Sequence, residues 1–234
     1  FFLADVVGTG KTVMAALLAK KFIINNGPKT KVLVVYPPTL EKNWKSTFKE
    51  FRIDEKCHFI ANGSLNKIVD GDHNYSDKER YDLILVDEAH KFRNHSSLQF
   101  QNLQIICKAG RENIGGIEGF EKKVVLISAT PLNNKPDDIY NLISLFQDIR
   151  NSNLAVTNLQ KFFYPHTQKY KVLIQQTPLD LNAIHEIFEN IRDLVIKDIT
   201  IRRTRTDLFK NERYKNDLIA QGIIFPKVAD PFKN

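Results

Sequence analysis

Asp5-Val6-Val7-Gly8-Thr9-Gly10-Lys11-Thr12 is the run that decides how this chain is read. Before it, Phe1-Phe2-Leu3-Ala4 suits a buried strand; after it, residues 12–25 hold Ala, Leu, Met and Lys, which favour a helix that Gly27 and Pro28 then stop. A glycine-bearing loop between strand and helix lets successive backbone N–H groups close around phosphate oxygens, with the positive end of the helix dipole facing the same anion. Gly8 and Gly10 give the loop its freedom, and the backbone of Val7 and Thr9 completes it. Lys11 is spaced to reach β- and γ-phosphates as a point charge, and Thr12 offers a hydroxyl to the Mg²⁺ that bridges them. The general pattern for such loops has Gly where this chain has Asp5.

Two further apolar runs end in polar residues. Tyr81-Asp82-Leu83-Ile84-Leu85-Val86 leads into Asp87-Glu88-Ala89-His90, which puts two carboxylates at the carboxyl edge of a parallel sheet, where open α/β folds bind their ligands. Asp87 is read as the Mg²⁺ holder and Glu88 as the group that orients and deprotonates an attacking water. Lys123-Val124-Val125-Leu126-Ile127 leads into Ser128-Ala129-Thr130-Pro131. Hydroxyls there are expected to reach His90 or Glu88, and His90 to link the nucleotide to this third loop.

The three strings, Asp-x-x-Gly-x-Gly-Lys-Thr, Asp-Glu-Ala-His and Ser-Ala-Thr in that order, resemble motifs I, II and III of superfamily-two helicases and translocases. Residues 4–12, 128–134 with 136–142, and 201–208 are most similar to the Swi/Snf-type branch, in which Asp at position 5 is common. That branch usually has an acidic residue or Met near Val6 and Val7, and Leu where Thr9 stands. The resemblance implies a three-layer α/β P-loop NTPase of RecA-like fold, with a mainly parallel central sheet and a C-terminal helical extension. It further implies an ATP hydrolase that uses ATP and Mg²⁺ and moves on nucleic acid, with duplex DNA the expected partner. Lys11, Thr12, Asp87 and Glu88 carry the ATPase roles; His90, Ser128 and Thr130 couple nucleotide state to movement. Pro37 and Thr39 stand where motif Ia meets the nucleic-acid backbone. Only the first of the two lobes of such motors is covered. An isolated first lobe is expected to bind Mg·ATP weakly and turn it over slowly, because a second lobe supplies an arginine finger worth on the order of 10³ or more in rate.

Composition agrees with a globular chain. Its 234 residues can bury a substantial core, 42% are hydrophobic, and no apolar run approaches the roughly 18 residues of a membrane helix. Two cysteines, Cys57 and Cys107, without metal-ligand spacing, point to neither a disulfide framework nor zinc, and to a reducing, cytoplasmic setting. The net charge of +7 suits a polyanionic partner. The chain opens inside a strand, so further sequence upstream is expected, and residues 225–234 read as a hinge leading onward.

The remaining segments complete the outline. Residues 31–36 form a strand ended by Pro37-Pro38, and a helix follows in which Leu40, Trp44, Phe48 and Phe51 face the sheet. Beside them Lys42, Lys45, Lys49 and Arg52 form a stripe that is either a solvated face or a track for phosphates. Residues 57–61 suit a short strand, 62–80 a loop with a turn of helix near 65–69, and 96–108 a helix burying Leu98, Leu103, Ile106 and Cys107. Residues 109–122 read as a mobile loop, and Pro136-Asp137-Asp138 opens a helix with Ile139, Leu142, Ile143, Phe146 and Ile149 on its apolar face. Residues 151–176 show no clean period, with Phe162-Phe163-Tyr164-Pro165 expected to dock a loop; in 181–195, Leu181, Ile184, Ile187, Phe188, Ile191, Leu194 and Val195 repeat as the packed face of the clearest amphipathic helix. Arg202, Arg203 and Arg205 either pair with acids of the lobe or contact phosphate. The expected division is an ATP-binding lobe over 1–149 and a helical extension over 150–234. Two other classes fit a phosphate loop. A P-loop kinase of small acceptors is disfavoured by a water-activating acid after the second strand, and a scaffold lobe without turnover by the intact Lys11, Thr12, Asp87 and Glu88.

Overall fold

The computed structural model describes residues 1–4, 10–110, 122–128 and 135–201. Six strands form one sheet: β1 (Phe2–Leu3), β2 (Val32–Tyr36), β3 (Cys57–Ala61), β4 (Leu83–Val86), β5 (Lys123–Ile127) and β6 (Thr200–Ile201). Their spatial order is β3-β2-β4-β5-β1-β6, and every pairing is parallel. Strands covered on both faces are apolar throughout. β2 and β4 are accordingly buried at every position, and alternate side chains enter two separate cores.

On one face, Val32, Val34, Leu83, Leu85, Val125 and Ile127 meet α1 (Lys11–Asn26) and α2 (Glu41–Glu50). α1 buries only Ala15, Ala16 and Ala19, small side chains that allow close approach to the sheet, and ends at Gly27, whose φ of 89° favours glycine. On the other face, Leu33, Val35, Ile84, Val86, Val124 and Leu126 meet the short α3 (Asn66–Val69), α4 (Leu98–Lys108), α5 (Pro136–Ser144), α6 (Leu159–Leu173) and α7 (Leu181–Ile191). This three-layer α/β arrangement is the expected fold.

Four expectations fail. Residues 159–173 are a helix, α6, not a docked loop. Asn158 caps it by accepting a hydrogen bond from the Lys161 N–H at 2.9 Å. Pro165 removes one rung of its ladder without ending it, because Phe163 and Leu173 are anchored in the core. Leu98 is 76% exposed rather than buried: it lies seven residues from the exposed Ile105, across the helix from Phe100, Leu103 and Ile106. Leu181, 69% exposed, begins α7 one turn before its stripe reaches the core. A π-helical turn at Arg192–Ile196 follows α7; it widens the spiral, leaving Leu194 outside and bringing Val195 and Ile196 in.

Residues of α6 and α7 belong to the same core as the strands: Leu159, Phe163, Ile187 and Ile191 cluster with Leu33 and Ile84. The Thr167 hydroxyl donates to Asp137 Oδ1 at 2.7 Å, joining α6 to α5. α5 is joined in turn to the segment after β4, where the Asn141 side chain donates to the carbonyl of Arg93 at 2.8 Å. β6 closes the edge beside β1 in parallel register, Phe2 opposite Thr200. No helix among the described residues is long and apolar enough to cross a membrane.

Candidate functional site

The carboxyl edge of the sheet gathers the candidate residues. β4, β5 and β1 are adjacent and in register there, with Val86 opposite Leu126 and Leu3 opposite Ile127, so Asp87, Ser128 and Ala4 emerge side by side. Gly10 precedes α1 with φ 74° and ψ 38°, a left-handed conformation that glycine adopts without strain. α1 begins with no side-chain cap and no acid in its first turn. No acid of the helix itself therefore competes for the positive end of its dipole, which suits an anionic ligand. Lys11 and Thr12 are the first two residues of this helix, and the Asn43 side chain reaches the Thr12 hydroxyl at 3.5 Å.

Asp87 is 5% exposed. One carboxylate oxygen, Oδ2, accepts the indole N–H of Trp44 at 2.9 Å; the other, Oδ1, accepts the N–H of Glu88 at 2.9 Å. Burial pushes the carboxyl above the ordinary aspartate value and the neighbouring Glu88 charge adds to this, while the two hydrogen bonds and the charge of Lys11 pull the other way. The start of α1 and Asp87, on separate elements, are both touched from α2, by Asn43 and Trp44. Among the described residues Asp87 forms no ion pair, which leaves a buried anion whose natural complement is a cation.

Glu88 has φ 50° and ψ 46°, a left-handed backbone unusual for a residue with a side chain. Strain of this kind concentrates where a side chain must be aimed for function. His90 Nδ1 lies 3.1 Å from Glu88 Oε2 and 3.5 Å from Ser128 Oγ. Since a carboxylate only accepts, the Nδ1 proton is directed to Glu88. Glu88, His90 and Ser128 are contiguous in space, Ser128 being the hydroxyl that approaches His90.

No cluster of three or more His, Cys, Asp or Glu side chains suited to a metal is present among the described residues. Magnesium does not need one, because it takes one or two carboxylates and fills the rest of its shell with water and substrate phosphates. Asp87 and the Thr12 hydroxyl are hard oxygen donors of that kind.

Beyond the loop ends, Pro37 is buried immediately after β2 and Thr39 is exposed. Lys42, Lys45 and Lys49 line the exposed face of α2. Lys45 pairs with Glu41 at 2.6 Å, a surface contact of little energetic weight. Arg52 lies just past the end of the helix, with φ 56°. Val7, Gly8, Thr9, Thr130, Arg202 and Arg203 lie outside the described residues, as do Asp5, Arg205 and the stretch 111–121. Trp44 is the contact that sequence reasoning missed. Its place in an apolar stripe marked it as packing, and the signal that it does more was its polar N–H, since a buried indole usually finds a partner.

Comparison with known proteins agrees with this fold. Residues 1–133 match the family model described as the Type III restriction enzyme, res subunit. An ATP-dependent helicase of Bacillus subtilis (strain 168) named YqhH, itself uncharacterized, is 28% identical over 92% of this chain and 35% of its own length. The probable ATP-dependent DNA helicase CHR12 of Arabidopsis thaliana is 23% identical over 83% of this chain and 18% of its length. The chain therefore spans about a third or less of these curated relatives. Among solved structures, the SWI2/SNF2 ATPase core of Sulfolobus solfataricus in complex with double-stranded DNA superposes with a TM-score of 0.56 at 18% identity, covering 93% of this chain and 42% of that one. That likeness establishes a common fold.

Proposed function

The chain belongs to the Type III restriction enzyme res-subunit family, and from that premise we propose that it is the first RecA-like ATPase lobe of an ATP-driven motor on nucleic acid, a duplex-DNA translocase or helicase. The observation that carries this reading is that adjacent residues of α2 touch both parts of the site, Asn43 reaching the Thr12 hydroxyl at 3.5 Å and Trp44 the Asp87 carboxylate at 2.9 Å. Lys11 and the uncapped start of α1 bind the phosphates of ATP. Thr12 and Asp87 would hold magnesium, whose charge would offset that developing on the transferred phosphoryl group. Glu88 orients the attacking water and accepts its proton, and His90 holds the Glu88 carboxylate in place from the side of Ser128.

Duplex DNA as the track is supported by the lysines of α2, which stand along one exposed face, and by the shared fold with a core solved on duplex DNA. The second lobe, whose arginine completes the site in such motors, is a partner of this reading.

Glu88→Gln in the full-length protein tests it. The amide keeps the shape but cannot take a proton, so turnover should fall by about 10² or more while the affinity for Mg·ATP, measured calorimetrically, stays near wild type. Hydrolysis at the wild-type rate would remove Glu88 from the role of base.

A further inference from the structure

We infer that Trp44 is a positioning residue for the magnesium carboxylate, and that its hold makes metal affinity depend on where α2 sits. The inference rests on the nucleotide-site reading above. Trp44 is fully buried, yet it presents one polar hydrogen, and that hydrogen is donated to Asp87 Oδ2 at 2.9 Å. The opposite oxygen accepts the Glu88 amide, so the carboxylate is fixed from both ends, by the next residue in the chain and by a helix on a different element. Groups that orient a metal-binding side chain from behind typically change metal affinity by about 10–100-fold when removed.

The indole is itself held firmly. Its ring lies 5.7 Å from that of Phe48, one turn along α2, and Phe48 packs edge-on against Phe59 of β3 at 5.4 Å. The opposite side of the same turns carries Lys42, Lys45 and Lys49, all exposed. A single helix thus has the metal carboxylate on its inner side and a row of cations on its outer side. A hydrogen bond of this kind weakens steeply once stretched past 3.5 Å, so a sub-ångström shift of α2 is enough to release Asp87.

Trp44 is the chain's only tryptophan, which supplies a second readout. The probes are ATP and Mg²⁺, with Mn²⁺ replacing Mg²⁺ for quenching. Calorimetric titration of ATP across a Mg²⁺ series should give an apparent metal midpoint that rises about tenfold or more in Trp44→Phe, which keeps the aromatic bulk and loses the donor. Phe48→Leu disturbs the same packing without touching that donor; it should lower thermal stability and leave the midpoint within about twofold. In the wild type, adding Mn²⁺ with ATP should quench the indole emission, a result that does not require the variant to fold. An unchanged midpoint in Trp44→Phe, an equal rise in Phe48→Leu, or unquenched emission at saturating Mn·ATP overturns the positioning role. Failure of the wild type to bind ATP at any Mg²⁺ concentration overturns the nucleotide-site reading instead.

Discussion

Phe163→Ala gives the sharpest test of how α6 belongs to the lobe. The ring is 2% exposed, lies in the core shared with Leu33 and Ile84, and meets the Tyr140 ring of α5 at 5.5 Å. Truncating a buried Phe to Ala costs about 3–5 kcal/mol through lost transfer energy and the cavity left behind, and the aromatic pair adds about 0.5–1.5 kcal/mol. Against a total of about 5–15 kcal/mol for a folded domain, the loss of about 4 kcal/mol is large. With a urea dependence of about 3 kcal/mol per molar for a chain this long, the midpoint should fall by about 1–2 M. Trp44 lies on the far face of the sheet, so its fluorescence reports α2 and β4 while far-ultraviolet circular dichroism reports the helices. Both signals should move together in one transition. If the Trp44 midpoint stayed at its wild-type value while the helical signal split off an earlier step, α6 and α7 would be a separately folding unit and the shared-core reasoning would be wrong.

Two further outcomes follow from surface and buried charge. Replacing Lys42, Lys45 and Lys49 together by Ala should weaken binding of the full-length protein to duplex DNA without regard to sequence. The slope of log affinity against log salt should shrink by about 0.9 for each phosphate no longer neutralised, with Lys45 contributing least because of Glu41; an unchanged slope would assign the stripe to solvent. Burial, aided by the charge of Lys31, pushes the pKa of His58 below its ordinary value, and its Nδ1 accepts the Ser76 N–H at 3.3 Å with the Tyr81 hydroxyl 2.8 Å away. The unfolded chain therefore takes up this proton first as pH falls. The stability contribution is full above the ordinary histidine value of about 6.5 and is lost as pH drops through the lower folded pKa. Melting temperatures recorded from about pH 7.5 down to 5 should decline less steeply in His58→Gln than in wild type. Parallel curves would exclude His58 as a source of acid sensitivity.

Much of this architecture is written locally in the chain. Parallel strands covered on both faces need unbroken apolar runs, so β2, β4 and β5 stand out as Val-Leu-Val-Val, Leu-Ile-Leu-Val and Val-Val-Leu-Ile. The residues at their ends follow at once, because Asp87 and Ser128 are fixed by the strands before them. What stayed hidden depends on partners distant in sequence. Pro165 argues against a helix until the anchorage of Phe163 and Leu173 is known, although Leu159, Phe163, Thr167, Tyr170 and Leu173 repeat at helical spacing once Thr167 is admitted to the stripe. β6, Thr200–Ile201, is too short to stand out as a strand in sequence, and it pairs with β1, about 200 residues earlier. The exposure of Leu181 reflects where its stripe first meets the core, which no periodicity records, whereas that of Leu98 follows from the helix face it shares with Ile105. Trp44 was correctly placed on the inner face of α2, but its hydrogen-bond partner sits 43 residues away.

His90 Nδ1 has one proton to give and two oxygens in reach. Its bond to Glu88 and its approach to Ser128 are therefore competitors rather than reinforcements, and the few tenths of an ångström that separate 3.1 from 3.5 Å set which one wins. Any drift of the end of β5 toward the imidazole draws the proton off the carboxylate and unlatches Glu88. The imidazole behaves as an either-or contact: a linear bond from the one proton serves Glu88 or Ser128, not both in the same instant.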